Sequence, residues 1–425
     1  MRFRDVLFSV RSFNSAMDRP PIYLDYAATT PCLTSVLDEM IPYFTEHYGN
    51  PNSQHSAGHA ALNALNEARD RVRNLIIADF EEIVFTSGST ESSRIAIERT
   101  AISLAKTGRR KFITTKSEHK SVLDCADALK SRDIEVLYLK INGDGLVDFD
   151  HLDSILSESV GLLSICMVNN ETGVLQDIKK ITELCHVRGV LIHVDATQAF
   201  GKMPLDVKEL DIDFMSASGH KIYGPKGTGV LFYKKKNKKL LRVPGANYEV
   251  EFGIRSGTVP VPLCVGMGKA AEIALHEMAH DFANISKLRQ ELVSNFTESI
   301  EEVYVNGSRT SHYPGIVNIS LRGCEGEALM MECKRIMISS GSACTSNKLT
   351  ISHVLDAMGV PADIAQSSLR ISVGKFTTES DIMIAIEDIT AATTKLRKMS
   401  PVWDMIKSGI NLDSIFEGKS CEHAV

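Results

Sequence analysis

The sequence contains no run of uncharged apolar residues long enough to cross a bilayer, so no membrane-spanning helix is expected. It contains no CxxC pair and no Cys/His pattern with metal-ligand spacing, which excludes a zinc module among its nine cysteines. An odd cysteine count in a chain of 425 residues argues for reduced thiols over a disulfide framework. Most cysteines sit in apolar runs and read as core filler, as Cys166 does in LLSICMV. Internal repeats and long low-complexity segments are also absent. Positive charge is not in excess: the net charge of −6 argues against nucleic acid as the main partner. One basic run, Lys234-Lys235-Lys236-Asn237-Lys238-Lys239, follows the apolar stretch 230–233 and reads as a solvated turn after a strand.

What is present is an ordinary globular composition, 44% hydrophobic and 24% charged. The length exceeds one small core and predicts a large and a smaller domain. The first residues, MRFRDVLFSVRSFNSAM, carry Arg2, Arg4, Arg11, serines and a single acid. Residues 1–18 therefore read as an organelle-targeting segment, with a disordered arm and a cytosolic protein as the alternative. From about residue 55 to 235, apolar runs alternate with helical patterns. Leu62, Leu65, Ala68, Val72 and Leu75 recur at three and four, predicting an amphipathic helix over 57–77. Short buried strands are expected at 83–85, 112–115, 136–139, 162–168, 190–194 and 230–233, with a helix over 177–188. This alternation predicts an α/β fold, a mostly parallel sheet with helices on both faces and ligands beyond the strands' carboxyl ends. A long helical segment from about 270 to 302 leads into a strand at 316–321, a Ser/Gly-rich loop and further helices. The domains expected are 19–275, with its N-terminal arm, and a smaller 276–425.

Three signals carry chemistry. After the strand at 83–85 comes TSGSTES, where Ser89 and Thr90 open a helix and could cradle a phosphate; alone, this is also an ordinary helix cap. After 190–194 comes Asp195, which could hold a protonated pyridine nitrogen or simply form a turn. Then SASGHKIYGPKGTG places Lys221 between small and rigid residues, suited to a Schiff base with an aldehyde. Lys226, between Pro225 and Gly227, reads as a surface turn residue. Cradle, acid and lysine in that order are the three demands of pyridoxal phosphate. The interval from Asp195 to Lys221 leaves room for a connection and another strand.

These blocks, with IYLDYAATTP, YGNPNSQH, TKSEHKSVLD, VNNETGVLQDI, HVDATQAFGK, RSGTVP, SSGSACTS and SSLRISVGKFTT, make the chain resemble the cysteine desulfurases of the mitochondrial and bacterial iron–sulfur cluster assembly type. The resemblance implies the type I fold of pyridoxal-phosphate enzymes (aspartate aminotransferase-like), with a smaller α+β C-terminal domain. It implies Lys221 as the Schiff-base lysine, Asp195 at the pyridine nitrogen and His119 over the ring as a proton carrier. It places Asn170 and Gln198 on cofactor and substrate, and Ser89, Thr90, Ser218, Gly219 and His220 on the cofactor. Thr258 would reach the phosphate of a neighbouring subunit, implying a homodimer. Arg370 would clamp the substrate carboxylate with its forked donors. Cys344, in the small polar loop 338–350, would receive the sulfur and share an iron–sulfur cluster with a scaffold protein as a metal ligand. Its setting supports access, because few anchoring side chains flank it. Frataxin and a small accessory subunit are further implied partners, and a mitochondrion or a derived organelle the implied location. Selenocysteine lyase activity and a catalytically weak assembly platform are the competing readings.

The sequence departs from the family in three places. Asn247-Tyr248-Glu249-Val250-Glu251-Phe252-Gly253 replaces a glycine-rich, basic stretch, Ser92-Ser93-Arg94 replaces a usual Asp/Asn pair, and FEGKSCEHAV replaces the usual aromatic and histidine ending.

Overall fold

The computed structural model describes residues 20–242, 250–340 and 351–409. Seven strands form the main sheet: β1 (Ile83–Thr86), β2 (Lys111–Thr115), β3 (Glu135–Leu139), β4 (Val160–Cys166), β5 (Leu191–Asp195), β6 (Phe214–Ser218) and β7 (Gly229–Tyr233). Their order is β1-β7-β6-β5-β4-β2-β3. Only β7 runs antiparallel to its neighbours; the other pairings are parallel, as expected. All six expected strands are present within a few residues of their expected ends. β6 is the further strand anticipated between Asp195 and Lys221.

Side chains alternate across the sheet with the period of two that strands impose. Val84, Phe112, Leu162, Phe214 and Leu231 share one core with Ile95, Ala96 and Ile97 of α2 (Ser89–Ala105) and Val122, Ala126 and Leu129 of α3 (Lys120–Lys130). Ile83, Phe85, Ile113, Leu163, Ile192 and Met215 face the other side. There they meet α1 (Ser56–Ile76) and Ile178, Ile181 and Cys185 of α4 (Ile178–Val187). In α1, Leu65, Ala68, Val72 and Leu75 are buried, whereas Leu62 is 38% exposed. At 100° per residue Leu62 falls at the edge of the apolar stripe, and Ala61 and Ala64 fall nearer its centre.

Helix α5 (Val261–Ser299) starts well before the expected position. Proline in its first turn is compatible with a helix start and obscures the pattern there. Cys264, Met267, Ala270 and Ala271 belong to the large core, while Ile285, Leu288, Leu292 and Phe296 belong to a second one. The expected boundary at 275/276 thus lies inside one continuous helix, where the core it serves changes. The second core covers an antiparallel sheet of β8 (Val303–Asn306), β9 (Ile316–Leu321) and β10 (Ser368–Ser372), packed against α7 (Glu379–Lys398). A short helix α6 (His353–Ala357) precedes β10. Leu24 also joins this core, and Ile22–Tyr23 pair with Ile336–Met337, so the N-terminal arm is stitched to the smaller unit.

The basic run after β7 is neutralised locally: Lys234 pairs with Asp211, Lys235 with Glu81 and Lys236 with Asp213. No described helix is long and apolar enough to cross a membrane.

Candidate active site

The chemistry-bearing residues converge at the carboxyl ends of β1, β2, β4, β5 and β6. Beyond β6 the chain enters a tight turn, Gly219–Lys221. Gly219 is required there, because a Cβ would lie 2.8 Å from Thr228 Cγ2 and 3.1 Å from the Pro225 carbonyl. The turn directs Lys221 at the N-terminal arm, where Nζ donates to the carbonyls of Ala27 (2.6 Å) and Ala28 (2.7 Å). Lys226 is exposed in the following turn, as expected. His220 Nδ1 lies 3.1 Å from Thr29 Oγ1. Burial, with the Lys221 cation beside it, pushes His220 down to about 4, so it is neutral at pH 7.

Asp195 is the last residue of β5, 6% exposed, and its Oδ1 accepts from the Thr197 amide at 3.0 Å. His119 caps α3: its Nδ1 accepts from the Ser121 amide at 3.2 Å. Burial lowers the His119 pKa, and Asp195 opposes that fall. The neutral ring therefore carries its proton on Nε2. Gln198 Nε2 donates to the Ala27 carbonyl at 2.9 Å, the same oxygen that Lys221 uses.

Ser89 and Thr90 open α2 behind Gly88, and no side chain caps that end. The first N–H groups of a helix bind anions when no cap competes for them. Ser218 is buried beside this turn, with its Oγ 3.9 Å from where a Gly88 Cβ would stand. Lysine, carboxylate, neutral histidine and an uncapped helix end lie along one sheet edge. The donor set fits pyridoxal phosphate.

Arg370 arrives from β10 of the smaller unit. Nη1 donates to the Asn170 carbonyl at 3.1 Å, Nη2 pairs with Asp25 at 2.8 Å, and Nε is buried without a partner. Asn170 thus meets Arg370 through its backbone. Thr258 is exposed, and no hydrogen bond joins it to the Lys221 cluster among the described residues. Cys344 lies outside the described residues, but the chain on both sides of its segment is tied to the site. Ser339 exchanges backbone hydrogen bonds with Arg370. Ser352 donates to buried Glu171, and His353 Nε2 lies 2.9 Å from the Glu118 carbonyl, next to His119. Of the seven described cysteines, five are buried, and burial pushes Cys125, Cys185 and Cys333 up to about 12. Among the described residues no cluster could hold a metal ion.

Sequence reasoning missed Asp25, Glu118 and Lys202. Asp25 stands inside the quoted block IYLDYAATTP, but only the fold reveals its pairing with Arg370. Glu118 Oε1 accepts from the Cys166 amide (3.0 Å) and Thr115 Oγ1 (3.1 Å), and complete burial pushes its carboxyl up to about 8. Lys202 donates to Gln198 Oε1 at 2.8 Å. Its spacing of four from Gln198 was the available signal.

The chain matches the Aminotransferase class-V family over residues 22–384. It is 44% identical over 396 residues to the human protein named cysteine desulfurase, covering 93% of this chain and 86% of that protein. It is 44% identical over 405 residues to cysteine desulfurase IscS of Rickettsia felis, covering 95% and 98%. Among solved structures, a NifS-like protein superposes with a TM-score of 0.82 at 33% identity, covering 88% of this chain and all of that one. SspA in complex with cysteine superposes with a TM-score of 0.74 at 32% identity, covering 84% and 100%. The matched span takes in every element that delivers a site residue, and the chain belongs to the class-V aminotransferases, within them to the pyridoxal-phosphate-dependent cysteine desulfurases.

Proposed function

We propose that this chain removes sulfur from L-cysteine, releasing L-alanine and leaving a persulfide on Cys344. The observation that carries this reading is the convergence of Lys221, Asp195, His119 and Gln198 from the large unit with Arg370 from the smaller one. Pyridoxal phosphate, when bound, supplies an electron sink beside the substrate Cα. Asp195 would hold the ring nitrogen protonated, and the α2 end with Ser89, Thr90 and Ser218 would hold the phosphate. Arg370 would bind the substrate carboxylate. Lys221 and neutral His119 would carry protons, His119 being suited to accept one because burial keeps it uncharged. The Cys344 thiolate would attack the substrate sulfur. The new S–S bond forms as the substrate Cβ–S bond breaks, and the electron pair stays on carbon and takes a proton. Support comes from the described residues on either side of that segment: Ser339 bonds Arg370, and His353 bonds the Glu118 carbonyl next to His119.

In this reading the enzyme is a homodimer. Thr258 is exposed and, among the described residues, no hydrogen bond joins it to the Lys221 cluster, and Leu37, Ile41, Phe44 and Leu62 are large exposed apolar residues. The persulfide would pass to an iron–sulfur scaffold protein in a mitochondrion or a derived organelle, a location supported by the Arg- and Ser-rich first residues. The test is direct. Purified protein is expected to be yellow and to release alanine and sulfide from cysteine with a thiol reductant. Lys221→Ala should lose the visible band, and Cys344→Ser should keep the band and stop sulfide release. Normal sulfide release by the Cys344 variant would remove that residue from the reaction.

A further inference from the structure

Lys202 has no place in the chemistry above, yet it is seated within the site. The turn after β5 brings it back. Ala199 and Phe200 amides bond to the Ala196 carbonyl, and Lys202 N bonds to the Ala199 carbonyl at 3.0 Å. Gly201, at φ +67, makes the reversal; a Cβ there would lie 2.9 Å from Ile222 Cγ2, beside Lys221. Lys202 Nζ then lies 2.8 Å from Gln198 Oε1 and 5.6 Å from the centroid of the Tyr313 ring. It also lines a water-sized cavity of about 30 Å³ between the two cores, with Tyr26, Tyr223, Asp281 and Tyr313.

An amide side chain has two ends that can exchange places, and only its environment decides which faces a ligand. A lysine ammonium only donates, and a backbone carbonyl only accepts. Gln198 is therefore held with Oε1 toward Lys202 and Nε2 toward the Ala27 carbonyl. Lys221 Nζ shares that carbonyl, so the Gln198 donor end stands beside the lysine that holds the cofactor.

We propose that Lys202 is a positioning residue that fixes the amide of Gln198 with its N–H end toward the cofactor. This rests on the reading of Lys221 and Gln198 as cofactor-binding residues. Burial, reinforced by the Lys221 and Arg370 cations, lowers Lys202 to about 7. The ammonium form is donor-only and fixes the amide, while the neutral amine can donate or accept and leaves the acceptor-only Ala27 carbonyl to hold Nε2. Lys202 touches no reacting atom.

The experiment measures the dissociation constant of pyridoxal phosphate and the visible spectrum of the full-length protein, with unfolding of the cofactor-free form as a fold check. Lys202→Met is expected to weaken cofactor binding about tenfold, the worth of one well-placed hydrogen bond to a charged group, and to shift the visible maximum. Gln198→Ala should cause a similar loss, and the double variant should lose no more than either. Should the methionine variant fail to fold, Lys202→Leu, which also carries no N–H donor, serves the same comparison. Unchanged affinity and spectrum in the Lys202 variant, or losses that add in the double variant, overturn the proposal. A wild-type protein that forms no visible band, or one that Lys221→Ala leaves intact, would instead overturn the cofactor reading itself.

Discussion

Arg370 shows how a single side chain joins the two units. Its guanidinium is nearly buried and spends one donor on the Asn170 carbonyl and one on Asp25. Its Nε has no partner. A buried cation with unused forked donors is suited to a carboxylate, and Asp25 holds the fork in place. Arg370→Ala is therefore expected to raise KM for cysteine about 100-fold, equivalent to ~3 kcal/mol, while the visible band persists. Steady-state kinetics with a spectrum of the same sample checks both halves. Arg370 entered the sequence reading only through the resemblance, as the residue that would clamp the substrate carboxylate. Asp25 did not enter it, because a carboxylate in an N-terminal block acquires its meaning only from a partner 345 residues away.

At the scale of elements, the segment that departs from the family is instructive where it is described. Glu251 and Phe252 adopt positive φ (45° and 55°), which non-glycine residues take only under constraint. The constraint is a buried ion pair: Glu251 Oε1 meets Arg69 of α1 at 2.7 Å, and Oε2 accepts from the Phe85 amide of β1 at 2.7 Å. Phe252 packs on the same guanidinium, 4.9 Å from ring centroid to Cζ. The turn is thus locked to β1, the strand that leads into α2. The Ser92-Ser93 departure is likewise absorbed: Ser92 bonds Thr86 at the end of β1, and Ser93 bonds Ser216 of β6. Arg69→Met should cost about 3–5 kcal/mol, because it strands the Glu251 carboxylate in the interior. Arg69→Met with Glu251→Gln should recover part of that, since no unpaired charge remains. Urea unfolding of both variants measures the difference. The sequence pattern gave no warning of this pair, since Arg69 sits on the buried stripe of α1 and its partner lies 182 residues away.

Across the whole molecule, two buried groups set opposing limits on pH. His193, fully buried in β5 with Nδ1 2.8 Å from Ser164 Oγ, is pushed down to about 4 by burial. Unfolded, it would bind a proton near pH 6.5, so its contribution is present above that pH and is lost as pH falls toward 4. Glu118 has the opposite sign. Its folded carboxyl titrates at about 8 and its unfolded one near 4.5, so its contribution is present below 4.5 and is lost as pH rises through 8. Glu118→Gln, which keeps the shape and cannot ionise, should gain stability relative to the parent progressively from about pH 5 to about pH 8. Denaturant titrations across that range measure it, and a difference independent of pH would remove Glu118 as the cause. The sequence by itself determined the strands of the parallel sheet and the order of Ser89-Thr90, Asp195 and Lys221, because these depend on local periodicity and on residue types at strand ends, and its motif blocks carried the resemblance to the family. It could not determine that α5 serves two cores, that Asp25 pairs with Arg370, that Lys202 donates to Gln198 or that Glu118 is fully buried. Those follow from burial and from contacts between segments far apart in the chain, and only the packed structure sets them.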